Sequence, residues 1–287
     1  MATPYPGQRF GSGFPAGARF WHDRHPATRA AESKMTQSVV LDLARLRRSC
    51  AQCSLQQLCL PAGIDQDDMA RLDEIVRRRR PLARSERLFR IGATMEALYV
   101  AREGAFKTVA ISDDGEEQII GFHLPGELIG LDALGSGKHR CEAEALGPAL
   151  VCEVPLDALD DATRAVPGLQ AQLLRVIGRS VGRDQDHLEI LGRRQAQERI
   201  AMFLHGLSER YQQLGHSSSE FSLPMSREDI ARYLGLVIET VSRGFTRLQD
   251  DGLIKVRGRQ LRILDPAGLS TMAHNSIESG QSRSGVA

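Results

Sequence analysis

Apolar positions follow a short, strand-like spacing in the middle of the chain. Between residues 82 and 156 they form runs of three to six residues, interrupted by Gly, Pro and Asp. The Asp114-Gly115 pair lies between two of these runs and has the composition of a tight hairpin turn. Several short strands at this spacing are typical of a small antiparallel roll. The runs are residues 98–100, 106–111, 118–122 and 150–154.

Helical spacing begins after Pro167 and continues for about 40 residues, longer than most globular helices. Its apolar residues recur three and four positions apart, as in the a/d seam of a coiled coil. We therefore expect a homodimer that pairs along this helix, with packing on the chain's own roll as the alternative. A shorter helix is predicted from Asp65 to about Arg79. The seam comprises Leu174, Ile177, Val181, Asp184, Leu188 and Leu191.

Two short helices with a glycine turn are predicted near the C-terminus. Ser226 and Asp229 have the spacing of a capping box, and Gly235 ends the helix that they begin. A second helix runs from about residue 238 to 250, and Gly252 ends it. Residues 253–256 and 261–264 alternate like two strands of a wing. This order predicts a winged helix-turn-helix.

One face of the second helix carries side chains suited to reading DNA bases. Glu239, Ser242 and Arg243 are spaced i, i+3 and i+4, so they share that face. Arg can bind guanine through two hydrogen bonds, and Glu can accept one from cytosine. Arg247 and Thr240 are predicted to contact phosphates. A dimer would read a palindrome whose half-sites lie about one helical turn apart.

The overall charge does not indicate a nucleic-acid partner, because 37 basic residues face 36 acidic ones. Residues 193–262, however, contain twelve basic and eight acidic residues, an excess that can neutralise phosphates. No apolar run reaches the roughly 20 residues that span a bilayer, and the first 30 residues lack the apolar core of a signal peptide. We therefore expect a cytoplasmic protein without a membrane partner.

Three of the five cysteines, Cys50, Cys53 and Cys59, lie within ten residues. In a reducing compartment this spacing favours metal ligation over disulfides. Three thiolates can hold one side of an iron-sulfur cluster, with Cys141 or Cys152 as candidates for the fourth ligand. A structural zinc site is the alternative, but such sites usually show a second close pair of ligands, and this chain lacks one.

The chain from about residue 49 to 264 resembles the Fnr family of the Crp/Fnr superfamily of transcription regulators. The resemblance implies a DNA-binding regulator that responds to oxygen, not an enzyme. It covers nearly all of the chain for which the sequence predicts ordered structure. The motifs that carry it are SCAQCSLQQLCLP at 49–61, GFHLPGELIGLDALGSGKH at 121–139, VCEVP at 151–155, GRDQDH at 182–187 and YLGLVIETVSRGFTRLQ at 233–249.

The resemblance implies a 4Fe-4S cluster whose fourth ligand lies in VCEVP, which selects Cys152 and leaves Cys141 without a ligand role. It also assigns base reading to Glu239, Ser242 and Arg243, and implies an inverted repeat of TTGAT-like half-sites. Residues 111–117 match a surface that contacts RNA polymerase in such activators; a plain hairpin tip is the alternative.

Asp184 suggests how dimerisation is controlled. In a symmetric dimer it faces its own copy, and two carboxylates about 4 Å apart repel by roughly 4 kcal/mol at an effective dielectric of 20, an upper figure. The apolar seam residues Ile177, Val181 and Leu188 favour pairing of the two helices, whereas Asp184 opposes it. We hypothesise that cluster assembly shifts the helix and settles this balance toward the dimer. The alternative is that Asp184 points outward and only solvates the helix.

Two other functional classes fit the sequence less well. A cyclic-nucleotide-responsive Crp-like regulator would use Gly126, Glu127 and Arg140, but Cys141 and Glu142 replace the small hydroxyl residue and the alanine expected there. A redox enzyme is disfavoured because the chain has no dinucleotide fingerprint and no thioredoxin-like context for Cys50 and Cys53.

The predicted fold class is α+β, with an N-terminal antiparallel β-roll of the cyclic-nucleotide-binding type, a long dimerisation helix and a C-terminal winged helix-turn-helix. The predicted boundaries are a disordered extension at 1–34, the cysteine segment at 35–63, the roll at 64–166, the dimerisation helix at 167–196, the DNA-binding domain at 197–270 and a flexible tail at 271–287.

Overall fold

The computed structural model describes residues 49–78, 81–112, 114–193 and 195–274. The extension predicted at 1–34, residues 35–48 of the cysteine segment and the tail from 275 onward lie outside these ranges. The helices are α1 Gln66–Ile75, α2 Leu156–Ala165, α3 Pro167–Gly192, α4 Ala196–Gln213, α5 Arg227–Leu234, α6 Ile238–Asp250 and α7 Pro266–His274. The strands are β1 Arg77–Arg78, β2 Arg87–Phe89, β3 Ala97–Glu103, β4 Phe106–Ile111, β5 Glu117–His123, β6 Leu128–Ile129, β7 Glu142–Ala145, β8 Leu150–Pro155, β9 Glu220–Ser222, β10 Ile254–Arg257 and β11 Gln260–Ile263.

Strands β1 to β8 form two four-stranded antiparallel sheets, with orders β1-β8-β3-β6 and β2-β7-β4-β5. Alternating apolar side chains fill the space between them, and Ala101, Phe106 and Ile129 are fully buried there. Gly115 adopts a φ of 85° in the β4–β5 turn, a conformation that costs glycine little. The predicted antiparallel roll is confirmed.

Helix α1 is shorter than the sequence predicted. Asp65 caps its first turn by accepting from the backbone N–H of Asp68, as a helix-starting residue does. The helix ends at Ile75 instead of continuing to about Arg79, because Arg77 and Arg78 pair as a strand with Glu153 and Cys152 of β8. Sheet pairing thus overrides the helix propensity of arginine.

Helix α3 ends at Gly192, short of the predicted residue 196. The backbone of Arg193 is extended there, and its carbonyl accepts from the side chain of Arg199 in α4. The helical pattern of about 40 residues is therefore two helices. A periodicity count does not detect this break, because apolar residues on α4 continue the same spacing.

The C-terminal part is a winged helix-turn-helix as predicted. The reciprocal capping box of Ser226 and Asp229 begins α5, and Gly235 ends it with a left-handed φ of 62°. Strands β10 and β11 form the wing, and β9 adds a third strand that was not predicted from the sequence. Residues 271–274 were predicted as part of a flexible tail, but they belong to α7, where Leu269 and Ala273 are buried.

Candidate functional site

The cysteine segment folds as a series of turns against the roll. Cys50 begins a short 3₁₀ turn, and its backbone N–H donates to the Asp73 side chain of α1 at 2.9 Å. The backbone N–H of Cys59 donates to the carbonyl of Leu55 at 3.0 Å. These bonds keep the segment compact and direct it toward the face of the roll that carries β8.

All four predicted ligands line one cavity. Cys50, Cys53 and Cys59 contribute from the turns, and Cys152 contributes from β8. Most of the remaining lining is apolar, with Arg102 as its charged member; it includes Leu55, Leu60, Leu72, Val76, Val100 and Val154. The structure thus brings together residues separated by about a hundred positions in the sequence.

Burial in this cavity raises the pKa of the Cys59 thiol far above its ordinary value. The neighbouring Cys152, Cys50 and Cys53 raise it further, because thiolate charges so close together repel. A cationic group that accepts sulfur ligands would remove both costs, since metal binding releases the thiol protons. The donor set therefore fits a metal-sulfur group chemically.

Within the described ranges, no three His, Cys, Asp or Glu side chains are arranged to hold a single metal ion. A lone zinc ion needs four ligands around one point, with sulfur about 2.3 Å from it. A cluster is held by four cysteine thiolates and spans several irons, so its ligands need not meet at one point. Both groups take cysteine thiolates, and four cysteines line this cavity.

Cys141 lies elsewhere. It immediately precedes β7 and is only 2% exposed in the core of the roll, more deeply buried than a semi-exposed strand position would be. Burial raises the pKa of its thiol, and the carboxylate of Asp132 raises it further. It is not among the residues that line the cysteine cavity.

Helix α3 presents its predicted seam on an open face. Leu174, Val181 and Leu188 are 63%, 48% and 69% exposed, at an exact seven-residue spacing. Asp184 is exposed on the same side, and its partial burial raises the pKa of the carboxyl. Ile177 is partly buried against the core of the roll. The described chain thus leaves an apolar heptad stripe uncovered.

Helix α6 buries one face and exposes the other. Val241, Phe245 and Leu248 pack into the core, and a Cβ on Gly244 would come within 2.3 Å of Ile200 in α4, so this helix pair packs without space for a side chain. The predicted DNA contacts occupy the other face: Glu239, Ser242, Arg243 and Arg247 are exposed, and Thr240 is partly exposed.

Two apolar residues at the start of α6 were not among the predicted DNA contacts. Val237 and Ile238 are 63% and 42% exposed, beside Glu239. The N-terminal residues of a recognition helix contact base edges, and an apolar side chain can contact the methyl group of thymine. The signal in the sequence was this pair itself: two adjacent apolar residues at the start of a helix, where core packing does not need them.

The roll also contacts the DNA-binding part directly. Lys107 on β4 pairs with Asp229 of the capping box at 3.0 Å, and Glu117 on β5 pairs with Arg232 of α5. Glu117 ends the loop at 111–117 for which an RNA polymerase contact was predicted. In this conformation its carboxylate therefore has an intramolecular partner.

Glu127, which a cyclic-nucleotide pocket would use, already has partners within the chain. Its carboxylate accepts from Arg210 of α4 at 2.7 and 3.0 Å, and Arg183 lies 3.8 Å away. These positive charges keep the pKa of the carboxyl low even though burial acts in the opposite direction. A ribose would have to compete with two arginines for this side chain, which argues against cyclic-nucleotide recognition.

Comparisons with known proteins agree with this architecture. Residues 79–165 match the cyclic nucleotide-binding domain family, and residues 198–272 match the Crp-like helix-turn-helix domain family. The FixK2 structure from Bradyrhizobium japonicum is 31% identical, with a TM-score of 0.62, and the match covers 69% of this chain and 97% of that one. Among the described residues, no helix has both the length and the apolarity to cross a bilayer.

Curated relatives are closer. The transcriptional activator protein Anr of Pseudomonas protegens is 47% identical over 80% of this chain and 94% of its own length. The fumarate and nitrate reduction regulatory protein of Escherichia coli K12 is 40% identical over 78% and 90%. The fold and these relatives define a DNA-binding transcription regulator, not an enzyme. The chain belongs to the Fnr group of the Crp/Fnr family.

Proposed function

We propose that this regulator senses oxygen through a 4Fe-4S cluster and binds DNA as a dimer when the cluster is present. The observation that carries the proposal is the single cavity lined by Cys50, Cys53, Cys59 and Cys152. Three cysteines that are close in sequence and one distant cysteine line it together, which supports a four-cysteine ligand set. The names of the relatives, which include a fumarate and nitrate reduction regulator, support control of anaerobic genes.

The four thiolates would hold the cluster, and Leu60, Leu72 and Val154 would shield it from bulk water. When bound, such a cluster supplies a centre that dioxygen can oxidise and dismantle. The cysteine turns contact both β8 and α3. Their arrangement can therefore influence the helix that carries the seam.

As a dimer, the regulator would read an inverted repeat of TTGAT-like half-sites in the cytoplasm, where its DNA target lies. Glu239, Ser242 and Arg243 would contact bases, because their side chains are exposed together on α6. Thr240 and Arg247 would contact phosphates. Residues 111–117 would contact RNA polymerase once Glu117 exchanges its intramolecular partner Arg232 for the polymerase.

Asp184 is proposed to weaken dimerisation, which Ile177, Val181 and Leu188 favour. Replacing it by alanine (Asp184→Ala) removes two facing carboxylates from the dimer. Even half of the roughly 4 kcal/mol repulsion shifts dimerisation more than tenfold. We therefore expect the variant to remain dimeric in air and to keep binding the inverted repeat, as measured by light scattering and fluorescence anisotropy.

Asp186→Ala is the matched control, because Asp186 is an exposed acid on the same helix, outside the seam. It should behave like the parent and dissociate in air. If Asp184→Ala is as monomeric in air as the parent, or if Asp186→Ala has the same effect, the switch does not act through Asp184.

A further inference from the structure

Helix α3 binds the cysteine turns through two side chains. The Gln172 side chain donates from Nε2 to the backbone carbonyl of Cys59 at 3.0 Å. One turn beyond Val176, Arg179 donates from Nη2 to the carbonyl of Leu58 at 2.8 Å. Two successive carbonyls, one of them on a proposed cluster ligand, thus accept hydrogen bonds from one helix.

These contacts lie on the face opposite the seam. At about 100° per residue, positions 172, 176 and 179 fall within one narrow sector of the helix, and 174, 181 and 188 fall about 180° away. The exposed fractions of the side chains confirm these two faces: Gln172 and Val176 are each 3% exposed, and the seam leucines are more than half exposed. One face of α3 therefore holds the cysteine turns while the other is available to a partner.

Neighbouring residues fix the orientation of the Gln172 side chain and the position of the turns. Gln172 is a buried amide, and Arg175 donates to its Oε1 at 3.4 Å, which directs Nε2 toward Cys59. Both bonds join a side chain of α3 to the backbone of the turns, and keeping them requires the turns and the helix to move together. On the far side of the turns, Gly126 adopts a φ of 88°, and a Cβ there would be 3.3 Å from Leu58. The turns are therefore confined between the roll and α3.

We propose that Gln172 and Arg179 are the positioning residues that couple the state of the cysteine site to the seam of α3. This inference rests on the proposed function, because it needs a cysteine site whose occupancy changes. A change in the path of residues 58 and 59 pulls on two side chains of one rigid helix, and the helix turns or shifts its opposite face. Coupling free energies between sites typically correspond to about 5- to 150-fold in affinity.

The test is the double variant Gln172→Met with Arg179→Met, which keeps the side-chain length at position 172 and part of the aliphatic stem at position 179 and removes both donors. Iron content and visible absorbance report the cluster, and analytical ultracentrifugation gives the dimer Kd before and after exposure to air. We expect iron and absorbance near those of the parent, while the ratio of the aerated to the anaerobic Kd falls at least about tenfold toward one. Gln212→Met with Arg164→Met, both at exposed positions, is the control and should keep the parental ratio.

A double variant with normal iron and the full parental ratio would overturn the proposal. If the double variant does not bind iron, the single variants Gln172→Met and Arg179→Met decide. Loss of iron from both also contradicts the proposal, because the side chains would then maintain the site itself. A parental ratio in Arg179→Lys, which keeps a donor at this position, beside a reduced ratio in Arg179→Met would support coupling. If the parent itself holds no iron or never changes its dimer Kd, the proposed function fails, and that result is distinct from a failure of the coupling.

Discussion

Protein purified without air after Cys152→Ala should contain little iron, show no cluster absorbance and remain monomeric. Cys152 is the only proposed ligand on the roll, so its loss leaves the three cysteines of the turns without their connection to β8. A monomer contacts one half-site, and specific binding typically exceeds non-specific binding by at least about 10³-fold. We therefore expect a loss of affinity for the inverted repeat of about that size, measured by anaerobic fluorescence anisotropy.

Cys141→Ala provides the matched control, since it removes a buried thiol from the roll core without altering the cysteine cavity. It should keep iron, absorbance and dimerisation, with only a modest loss of stability from the smaller side chain. Equal loss of iron in both variants, or a Cys152→Ala protein that stays dimeric and iron-loaded, would remove Cys152 from the ligand set.

Arg243→Ala should abolish sequence selectivity while leaving the dimer intact. A bidentate contact with guanine contributes about 1–3 kcal/mol of discrimination, and a dimer makes it twice, so the loss approaches about 2–6 kcal/mol. That corresponds to roughly 30-fold or more in Kd for the inverted repeat. Anisotropy with this duplex and with one whose half-sites are scrambled gives the selectivity directly.

Arg247→Ala is the comparison variant, because it removes a proposed phosphate contact and leaves the proposed base contacts in place. As a phosphate contact, Arg247 should contribute similarly to both duplexes, and its removal should also reduce the dependence of Kd on salt concentration. Selectivity should survive in this variant. If Arg243→Ala weakens both duplexes equally, Arg243 contacts the backbone and the proposed reading face is wrong.

Features fixed by local chemistry could be predicted from the sequence. Ser226 and Asp229 form their capping box within one turn, and Gly235 takes the left-handed conformation that few other residues tolerate, so both ends of α5 were predictable. The strands of the roll were predictable because alternating apolar residues must face one core.

Features that depend on distant partners could not be predicted. The early end of α1 depends on pairing with β8, and the sequence of the arginines there is compatible with a helix. Likewise, the bonds from Gln172 and Arg179 to the cysteine turns join residues more than a hundred positions apart. Spacing alone also left Cys141 and Cys152 as alternatives; the resemblance selected Cys152, and the fold places this residue at the cavity that the other three cysteines line.

The central claim is that Cys50, Cys53, Cys59 and Cys152 together hold one inorganic core whose loss separates the subunits. It is tested most directly by purifying the full chain without air and following iron, acid-labile sulfide, visible absorbance and molar mass through exposure to oxygen. We predict a coloured dimer with about four irons and four sulfides per chain, as a 4Fe-4S core requires, and a monomer once the colour has bleached. A colourless, iron-free anaerobic protein, or a dimer that persists after complete bleaching, would contradict it.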